Sequence, residues 1–258
     1  MEKTRGIRSV KVLKFNGGKL DEEDDAIAEE EPLSLKIFGK TSNSEIIIMR
    51  TPGNDIELVT GFLYTEGMIS SSTDILSFEE GDNEIIVRIR GNPTNRQFII
   101  NSSCGFCGKN KLNEIGRVSY NERIDINVLV SLPIKLLESQ RIYHVTGGVH
   151  GASVFNILGD LESSAEDVGR HNAVDKAIGK LVLKGEIPAR RKVLQVSGRI
   201  GYEIVYKASI AGISFVTGIS APTSMAVSYA EAIGMTVVGF TREGKMNIYS
   251  HPERILID

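Results

Sequence analysis

Two cysteines, Cys104 and Cys107, are the residues whose spacing most directly suggests chemistry. They lie in the segment SSCGFCGK, where two glycines make a tight and sterically open turn, so at least one sulfur is accessible. Lys109 and a helix that could follow it would supply positive potential, which favours the nucleophilic thiolate. A purely structural pair is disfavoured, because Phe106 is the only apolar residue beside the sulfurs.

Three interpretations of this pair compete. Structural zinc needs four ligands, and the sequence has no second CxxC and no HxxxH, which disfavours a metal site. A thioredoxin-like redox motif opens a helix after the first strand of a βαβ unit, whereas this loop follows two strands that look antiparallel. The third interpretation is a carrier thiol that holds a group such as a persulfide sulfur, with the second cysteine assisting or resolving.

Glycine-rich loops that carry arginine or histidine indicate a second candidate site. The segments are TGGVHGAS (146–153), EDVGRHN (166–172) and SGRIGYE (197–203), and they lie at the ends of predicted strands. In open α/β sheets, ligands bind beyond the carboxyl ends of strands, where helix N-termini present free N–H groups to anions. Arg199 could pair with a phosphate through its planar fork. Together, the loops predict a phosphate-bearing ligand.

A further basic loop follows the last predicted core strand, and its residues alone fit a solvated hairpin as well as a ligand contact. The loop comprises Phe240, Thr241, Arg242, Glu243, Gly244 and Lys245. The sequence contains neither GxxxxGK[ST] nor GxGxxG, so NTP hydrolysis and a Rossmann dinucleotide site are not supported. A zinc deaminase carries HxE followed by PCxxC, but here Ser103 replaces the proline and the only HxE follows the cysteines. Deaminase chemistry is therefore disfavoured.

The composition excludes several broad classes of protein. The 258 residues include 30 Lys plus Arg against 33 Asp plus Glu, and the net charge of −3 argues against a polybasic protein that binds nucleic acid or a membrane surface. A hydrophobic content of 41% excludes disorder of the whole chain. No segment approaches the roughly 18 consecutive apolar residues that a membrane span needs, and the N-terminus lacks a signal-peptide core. We expect a cytoplasmic protein.

The elements that must position these residues fall into two parts. The acidic run 21–32 predicts a solvated loop or hairpin edge. After it, LSLKIFGK and SEIIIMRTP predict a hairpin, and 54–69 predicts a helix that Asn54 caps. From SVFNIL onward, strands and helices alternate regularly, which predicts a three-layer α/β sandwich with helices on both faces of the sheet. We predict an N-terminal α+β domain, 1–122, and a larger α/β domain, 123–258.

The whole pattern resembles the FdhD/NarQ family of formate dehydrogenase accessory proteins, which are sulfur carriers. The matching segments run in family order from about residue 29 to residue 255. They include EEEPLSLKIFGK, SSCGFCGK, TGGVHGAS, EDVGRHNAVDKAIG, SGRIGYEIVYKA and the C-terminal stretch that begins SAPTSMAVSYAEAIG. The resemblance does not extend to the first 28 residues or to the acidic run.

The resemblance implies a cytoplasmic, homodimeric sulfurtransferase. It would accept persulfide sulfur from a cysteine desulfurase and pass it to the molybdenum cofactor, a bis(molybdopterin guanine dinucleotide), before that cofactor enters formate dehydrogenase. By resemblance, Cys104 is the carrier cysteine, Cys107 is the accompanying thiol, and the loop 240–245 binds the cofactor. The family's larger domain is similar to the cytidine deaminase-like fold.

A large polyanionic cofactor would use several of the basic and glycine loops at once, and a free guanine nucleotide could mimic it. Besides the loop 240–245, the expected cofactor-binding residues are Gly148, His150, Arg170, His171, Gly198, Arg199 and Lys207. The net charge of −3 would then conceal a local basic cleft. An alternative from another class is an assembly module that binds a nucleotide or cofactor and whose cysteines sense redox state without carrying sulfur.

Overall fold

The computed structural model describes residues 5–93, 99–100 and 121–257. In these residues the helices are α1 (Asp55–Thr65), α2 (Ile126–Glu138), α3 (Arg141–Thr146), α4 (Arg170–Lys184), α5 (Tyr202–Ala211) and α6 (Ser224–Ile233). The strands of the N-terminal part are β1 (Ile7–Asn16), β2 (Lys19–Ala28), β3 (Glu31–Phe38), β4 (Asn43–Arg50), β5 (Ile75–Gly81), β6 (Glu84–Ile89) and β7 (Ile99–Ile100). The strands of the C-terminal part are β8 (Ile124–Asp125), β9 (His150–Asn156), β10 (Leu161–Asp167), β11 (Lys192–Val196), β12 (Phe215–Gly218), β13 (Thr236–Arg242), β14 (Lys245–Ser250) and β15 (Ile255–Leu256).

The first two strands form a separate antiparallel hairpin. Gly17 and Gly18 connect them with φ values of 56° and 95°, the left-handed conformation that a two-residue hairpin turn requires. Most of the predicted acidic run lies on β2, so it forms a hairpin edge rather than a loop. At the base of the hairpin, the Glu29 backbone N–H donates to the Gly6 carbonyl.

A five-stranded sheet of order β5-β6-β3-β4-β7 follows. The predicted hairpin of β3 and β4 is confirmed, with Leu35 opposite Ile46 in the register. Helix α1 forms where a helix was predicted, and Asn54 occupies its N-cap position. The Asn54 side chain makes no capping bond there, because its backbone is left-handed and its amide donates to Glu57 instead.

The C-terminal part is built on a six-stranded sheet of order β10-β9-β11-β12-β13-β14, in which β11, β12 and β13 are parallel. Neighbouring residues of a strand point to opposite faces. Val193 therefore packs in a core cluster with Leu129 and Leu132 of α2, while Leu194 joins the larger cluster that contains residues of α4, α5 and α6. Helices on both faces confirm the predicted three-layer sandwich. Its likeness to the cytidine deaminase-like fold stays a prediction.

Strand β10 was not predicted. Its sequence LESSAED is rich in small polar residues, so it lacks the branched apolar side chains that indicate a strand, although alternate residues such as Ser163, Ala165 and Asp167 are buried. The helix predicted from residue 167 begins three residues later, at Arg170, because β10 extends to Asp167.

The two parts of the chain meet where α1 packs against α4, and residues of both helices share one hydrophobic core. Two glycines allow this close approach. A Cβ built on Gly61 would overlap the backbone of Asp175, and one built on Gly179 would overlap the backbone of Glu57. In the part of the chain that the structure describes, no helix is both long enough and apolar enough to span a membrane.

Candidate functional site

The topology brings most of the loops predicted from sequence to one edge of the six-stranded sheet. The parallel strands β11 and β13 both end there, so their carboxyl ends place 197–199 and 240–245 on the same edge. Strand β9 runs antiparallel to β11, so it starts at this edge with His150. Strand β10 ends there too, with Asp167 opposite His150. We call this edge the strand-end cleft.

A compact cluster of predicted residues lies at the centre of the strand-end cleft. The Ser197 N–H donates to the Gly151 carbonyl at 3.0 Å, and the Gly151 N–H donates to Ser197 Oγ at 3.0 Å. Ser197 Oγ also lies 3.4 Å from His150 Nδ1. A Cβ on Gly198 would lie 3.2 Å from that nitrogen and 3.6 Å from Cδ of Arg170. The absence of a side chain at Gly198 therefore gives the His150 ring room beside the turn, whereas the distance to Arg170 is an ordinary contact.

The N-termini of two helices open beside this cluster. Helix α4 begins at Arg170 after Gly169, and α5 begins at Tyr202 after Gly201. Neither N-cap glycine has a side chain to cap its helix. The first-turn N–H groups and the positive ends of both helix dipoles favour an anion there. Exposed Arg199 and half-buried Arg170 add fixed positive charge at the same place.

Asp167, which no sequence pattern indicated as a site residue, fixes the start of α4. Its buried carboxylate accepts hydrogen bonds from the Gly169 N–H at 2.8 Å and from the Thr51 N–H at 3.1 Å. Asn172 Nδ2 donates to it at 2.9 Å, and Lys176 Nζ forms an ion pair with it at 2.7 Å. These bonds connect α4 to the end of β4. The spacing of Asp167, Asn172 and Lys176 along the EDVGRHNAVDK block is the sequence feature that could have indicated these contacts.

The histidines of the strand-end cleft do not supply positive charge at neutral pH. Burial, together with the nearby charges of Lys207 and Arg170, lowers the pKa of His171 to about 3. Burial, followed by the charge of Arg170, also lowers the pKa of His150. The prediction that His171 contributes to a basic cleft is therefore wrong, because desolvation keeps its ring neutral. Its Nε2 lies 3.6 Å from Glu203.

Lys207 is not a cofactor ligand in this structure, which corrects a second prediction. Only 1% of the residue is exposed, and its ammonium lies 2.7 Å and 2.9 Å from the two carboxylate oxygens of Asp175. Burial alone would lower the pKa of Lys207, but the charges of Asp175 and Glu203 outweigh it and hold that pKa above its ordinary value. Lys207 therefore links α5 to α4 in the interior.

The loop 240–245 forms the hairpin turn between β13 and β14, and its exposed residues include Arg242 and Lys245. It borders a surface depression of about 560 Å³. Phe240 has a φ of 55°, and the register shift around it turns the Thr241 side chain inward, where Gln195 Nε2 donates to Thr241 Oγ1 at 3.3 Å. The Thr241 side chain therefore stabilises the sheet and does not face the depression.

The remaining site residues have different positions. Gly148 is exposed and lies at the base of the N-terminal hairpin, where a Cβ would be 3.1 Å from Cβ of Ala28. Glu243 and Gly244 form the exposed tip of the β13–β14 turn, with φ values of 53° and 73°. The candidate catalytic residues Cys104 and Cys107 lie outside the described residues, so their assignment stays a prediction.

Comparison with known proteins agrees with this architecture. The sequence model of the FdhD/NarQ family matches residues 28–256. The chain is 48% identical to the sulfur carrier protein FdhD of Sulfurisphaera tokodaii, over 97% of this chain and 99% of that protein. It is 50% identical to the sulfur carrier protein FdhD of Sulfolobus acidocaldarius, over 96% of this chain and 98% of that protein.

The fold is also similar to a solved structure. A crystal structure of a candidate formate dehydrogenase accessory protein from Desulfotalea psychrophila superposes with a TM-score of 0.77, at 24% identity, over 97% of this chain and 99% of that one. The family model and the two relatives each match nearly the whole length of the sequence. The chain therefore belongs to the FdhD/NarQ family.

Proposed function

We propose that this protein is a sulfur carrier that serves formate dehydrogenase by sulfurating its molybdenum cofactor. The observation that carries the proposal is the strand-end cleft, where two uncapped helix N-termini open beside Arg170 and Arg199. This arrangement favours a large anion. Its relatives from Sulfurisphaera tokodaii and Sulfolobus acidocaldarius are named sulfur carrier proteins, and they match almost the full length of the chain.

The cofactor is the cargo of this reaction, and the exposed charges suit its size. Adjacent strands of a sheet are about 4.8 Å apart, so β13, which lies two strands from β11, is displaced from it by about 10 Å along the edge. A bis(molybdopterin guanine dinucleotide) carries phosphates on two nucleotide arms. We propose that Arg170 and Arg199 bind one phosphate region while Arg242 and Lys245 bind another.

The sulfur chemistry follows from thiol exchange. The Cys104 thiolate attacks the terminal sulfur of a persulfide on the cysteine desulfurase, a new S–S bond forms, and the desulfurase cysteine leaves as thiolate. Cys107 can then attack Cys104 Sγ and expel the terminal sulfur as sulfide. The two thiols supply the two electrons and become a disulfide, which a cellular thiol reductant must reopen.

Guanine-nucleotide titration tests the cofactor site. In an Arg199→Ala, Arg242→Ala double variant, we expect the Kd for GDP to rise at least about tenfold, because each charge-assisted hydrogen bond is worth about 1.5–3 kcal/mol. An Arg88→Ala, Arg190→Ala double variant removes the same charge from surfaces away from the cleft and should keep the wild-type Kd. Equal Kd values for the cleft variant and the wild type would contradict the assignment. Isothermal titration calorimetry measures all three proteins.

A further inference from the structure

The N-terminal hairpin, residues 7–28, extends from the protein, and we call it the arm. Its ten-residue strands are each about 33 Å long, and they pair with each other in a sheet of their own. An isolated two-stranded hairpin is only marginally stable in water. The contacts that hold the arm lie at its base, where β2 contacts α3 and Ala28 packs against Gly148. The outer half therefore stands clear of the core.

Three large apolar side chains lie near the tip of the arm. Phe15 pairs with Leu20 across the hairpin, and Leu13 lies two residues before Phe15, so all three share one face. Their exposed fractions are 70% for Leu13, 69% for Phe15 and 64% for Leu20. A clustered apolar tip of this kind indicates a protein contact.

The strand beside this tip is strongly acidic. Five consecutive acidic residues occupy 21–25 of β2. Lys11 pairs with Glu22 at 2.8 Å and Lys14 pairs with Glu23 at 3.0 Å, both on the exposed surface. This charge repels the phosphates of nucleic acids and of anionic lipid surfaces. It complements a protein with a basic surface.

A second copy of the chain is a poor occupant for the arm. Two-fold pairing of β2 with its equivalent would place the acidic run opposite itself, and two-fold pairing of β1 would place Arg8, Lys11 and Lys14 opposite one another. A mixed β1-to-β2 contact is heterologous, so it would build a ring or a filament rather than a two-fold dimer. These charges therefore disfavour strand pairing between two copies and favour a different protein as the occupant.

The position of the arm indicates which protein this is. Its base touches Gly148, two residues before His150, so the arm rises from the rim of the strand-end cleft. A protein that receives a polyanionic cofactor from this cleft needs basic groups around its own cofactor entrance. We propose that the arm docks the apoenzyme that accepts the cofactor. The acidic strand lies against that basic rim, and Leu13, Phe15 and Leu20 enter an apolar pocket beside it. This inference rests on the function proposed above.

Binding of the full-length protein to the formate dehydrogenase apoenzyme of the same genome, measured by biolayer interferometry, tests the docking. A Phe15→Thr, Leu20→Thr variant keeps strand-forming residues, and we expect its Kd to rise at least tenfold. An Asp21→Asn, Asp24→Asn variant should also bind more weakly, and its affinity should depend less on salt. The matched controls are Leu161→Thr, on an exposed edge strand, and Glu80→Gln with Asp82→Asn, and both should bind like the wild type.

Several results would overturn the arm proposal. The first is a wild-type Kd for the apoenzyme in both arm variants. The second is a loss of affinity in the control variants as large as that in the arm variants. The third is no binding of the wild type to the apoenzyme. Light scattering provides a further check. If the Phe15→Thr, Leu20→Thr variant had a lower molecular mass in solution than the wild type, the occupant would be a second copy and the proposal would be overturned. GDP affinity and persulfide formation on Cys104, measured in the same variants, should match the wild type. If the arm variants keep wild-type GDP affinity and persulfide formation and also keep the wild-type Kd for the apoenzyme, the arm inference fails and the proposed function stands. A wild-type protein that forms no persulfide would refute the proposed function itself.

Discussion

The Lys207→Met variant is expected to have a free energy of unfolding about 3–5 kcal/mol below that of the wild type, because it breaks a buried ion pair by removing one partner. The Lys207 ammonium contacts both carboxylate oxygens of Asp175 and donates to Thr65 Oγ1 at 3.1 Å. Methionine keeps much of the apolar volume but leaves the Asp175 carboxylate buried without its counter-charge. Urea unfolding at neutral pH, followed by circular dichroism, measures the change.

Two further variants show whether the orphaned charge is the cause. Adding Asp175→Asn to Lys207→Met removes that charge, so the double variant should recover part of the lost stability. Lys40→Met, on an exposed loop, should change stability by less than about 0.5 kcal/mol. A Lys207→Met protein with wild-type stability and weakened GDP binding would instead support the ligand role that the sequence predicted.

The Gly61→Ala variant is expected to lose about 3 kcal/mol or more of stability. Helix propensity alone predicts the opposite, since alanine in place of glycine inside a helix usually adds about 0.5–1 kcal/mol. At Gly61, however, the new Cβ would overlap the Asp175 carbonyl oxygen and lie 2.6 Å from its carbonyl carbon. Backbone cannot move aside as a flexible side chain can, so α1 and α4 must separate and lose core contacts. Thermal and urea unfolding both measure this loss.

A glycine with room for a methyl group provides the comparison. At Gly81 the nearest atom to a new Cβ is Cβ of Glu84 at 3.6 Å, an ordinary contact, so Gly81→Ala should leave stability within about 0.5 kcal/mol of the wild type. A Gly61→Ala protein more stable than the wild type would show that α1 and α4 do not cross as closely as described.

Much of the architecture could be predicted from sequence because its signals are local. The alternation of Val- and Ile-rich strands with helices from residue 153 onward predicted the layers, and Gly198 and Arg199 followed a strand recognisable by its composition. Parallel strands place their carboxyl ends on one edge, so the gathering of 197–199 and 240–245 follows from topology alone. Strand β10 could not be predicted because its buried positions carry small or polar side chains, so the sequence lacks the apolar alternation that indicates a strand.

The ionisation of the site could not be predicted, because it depends on contacts between distant residues. Lys207 and Thr65 are 142 positions apart, yet they bond in the interior. Nothing in the local sequence of His171 shows that burial will keep its ring neutral. Asp167 contacts Thr51 across 116 positions, which only the packing of the two parts could reveal. A basic residue in a promising motif can therefore be a ligand or a buried counter-ion, and burial decides between them.

Persulfide mapping tests the central claim most directly. The wild type and the Cys104→Ala and Cys107→Ala variants are incubated with a cysteine desulfurase and cysteine, and the tryptic peptides are analysed by mass spectrometry. We expect one added sulfur on Cys104 in the wild type, a longer-lived one in Cys107→Ala, and none in Cys104→Ala. A reversible Cys104–Cys107 disulfide with no added sulfur in any of the three proteins would contradict the sulfur-carrier function and favour a redox-sensing module.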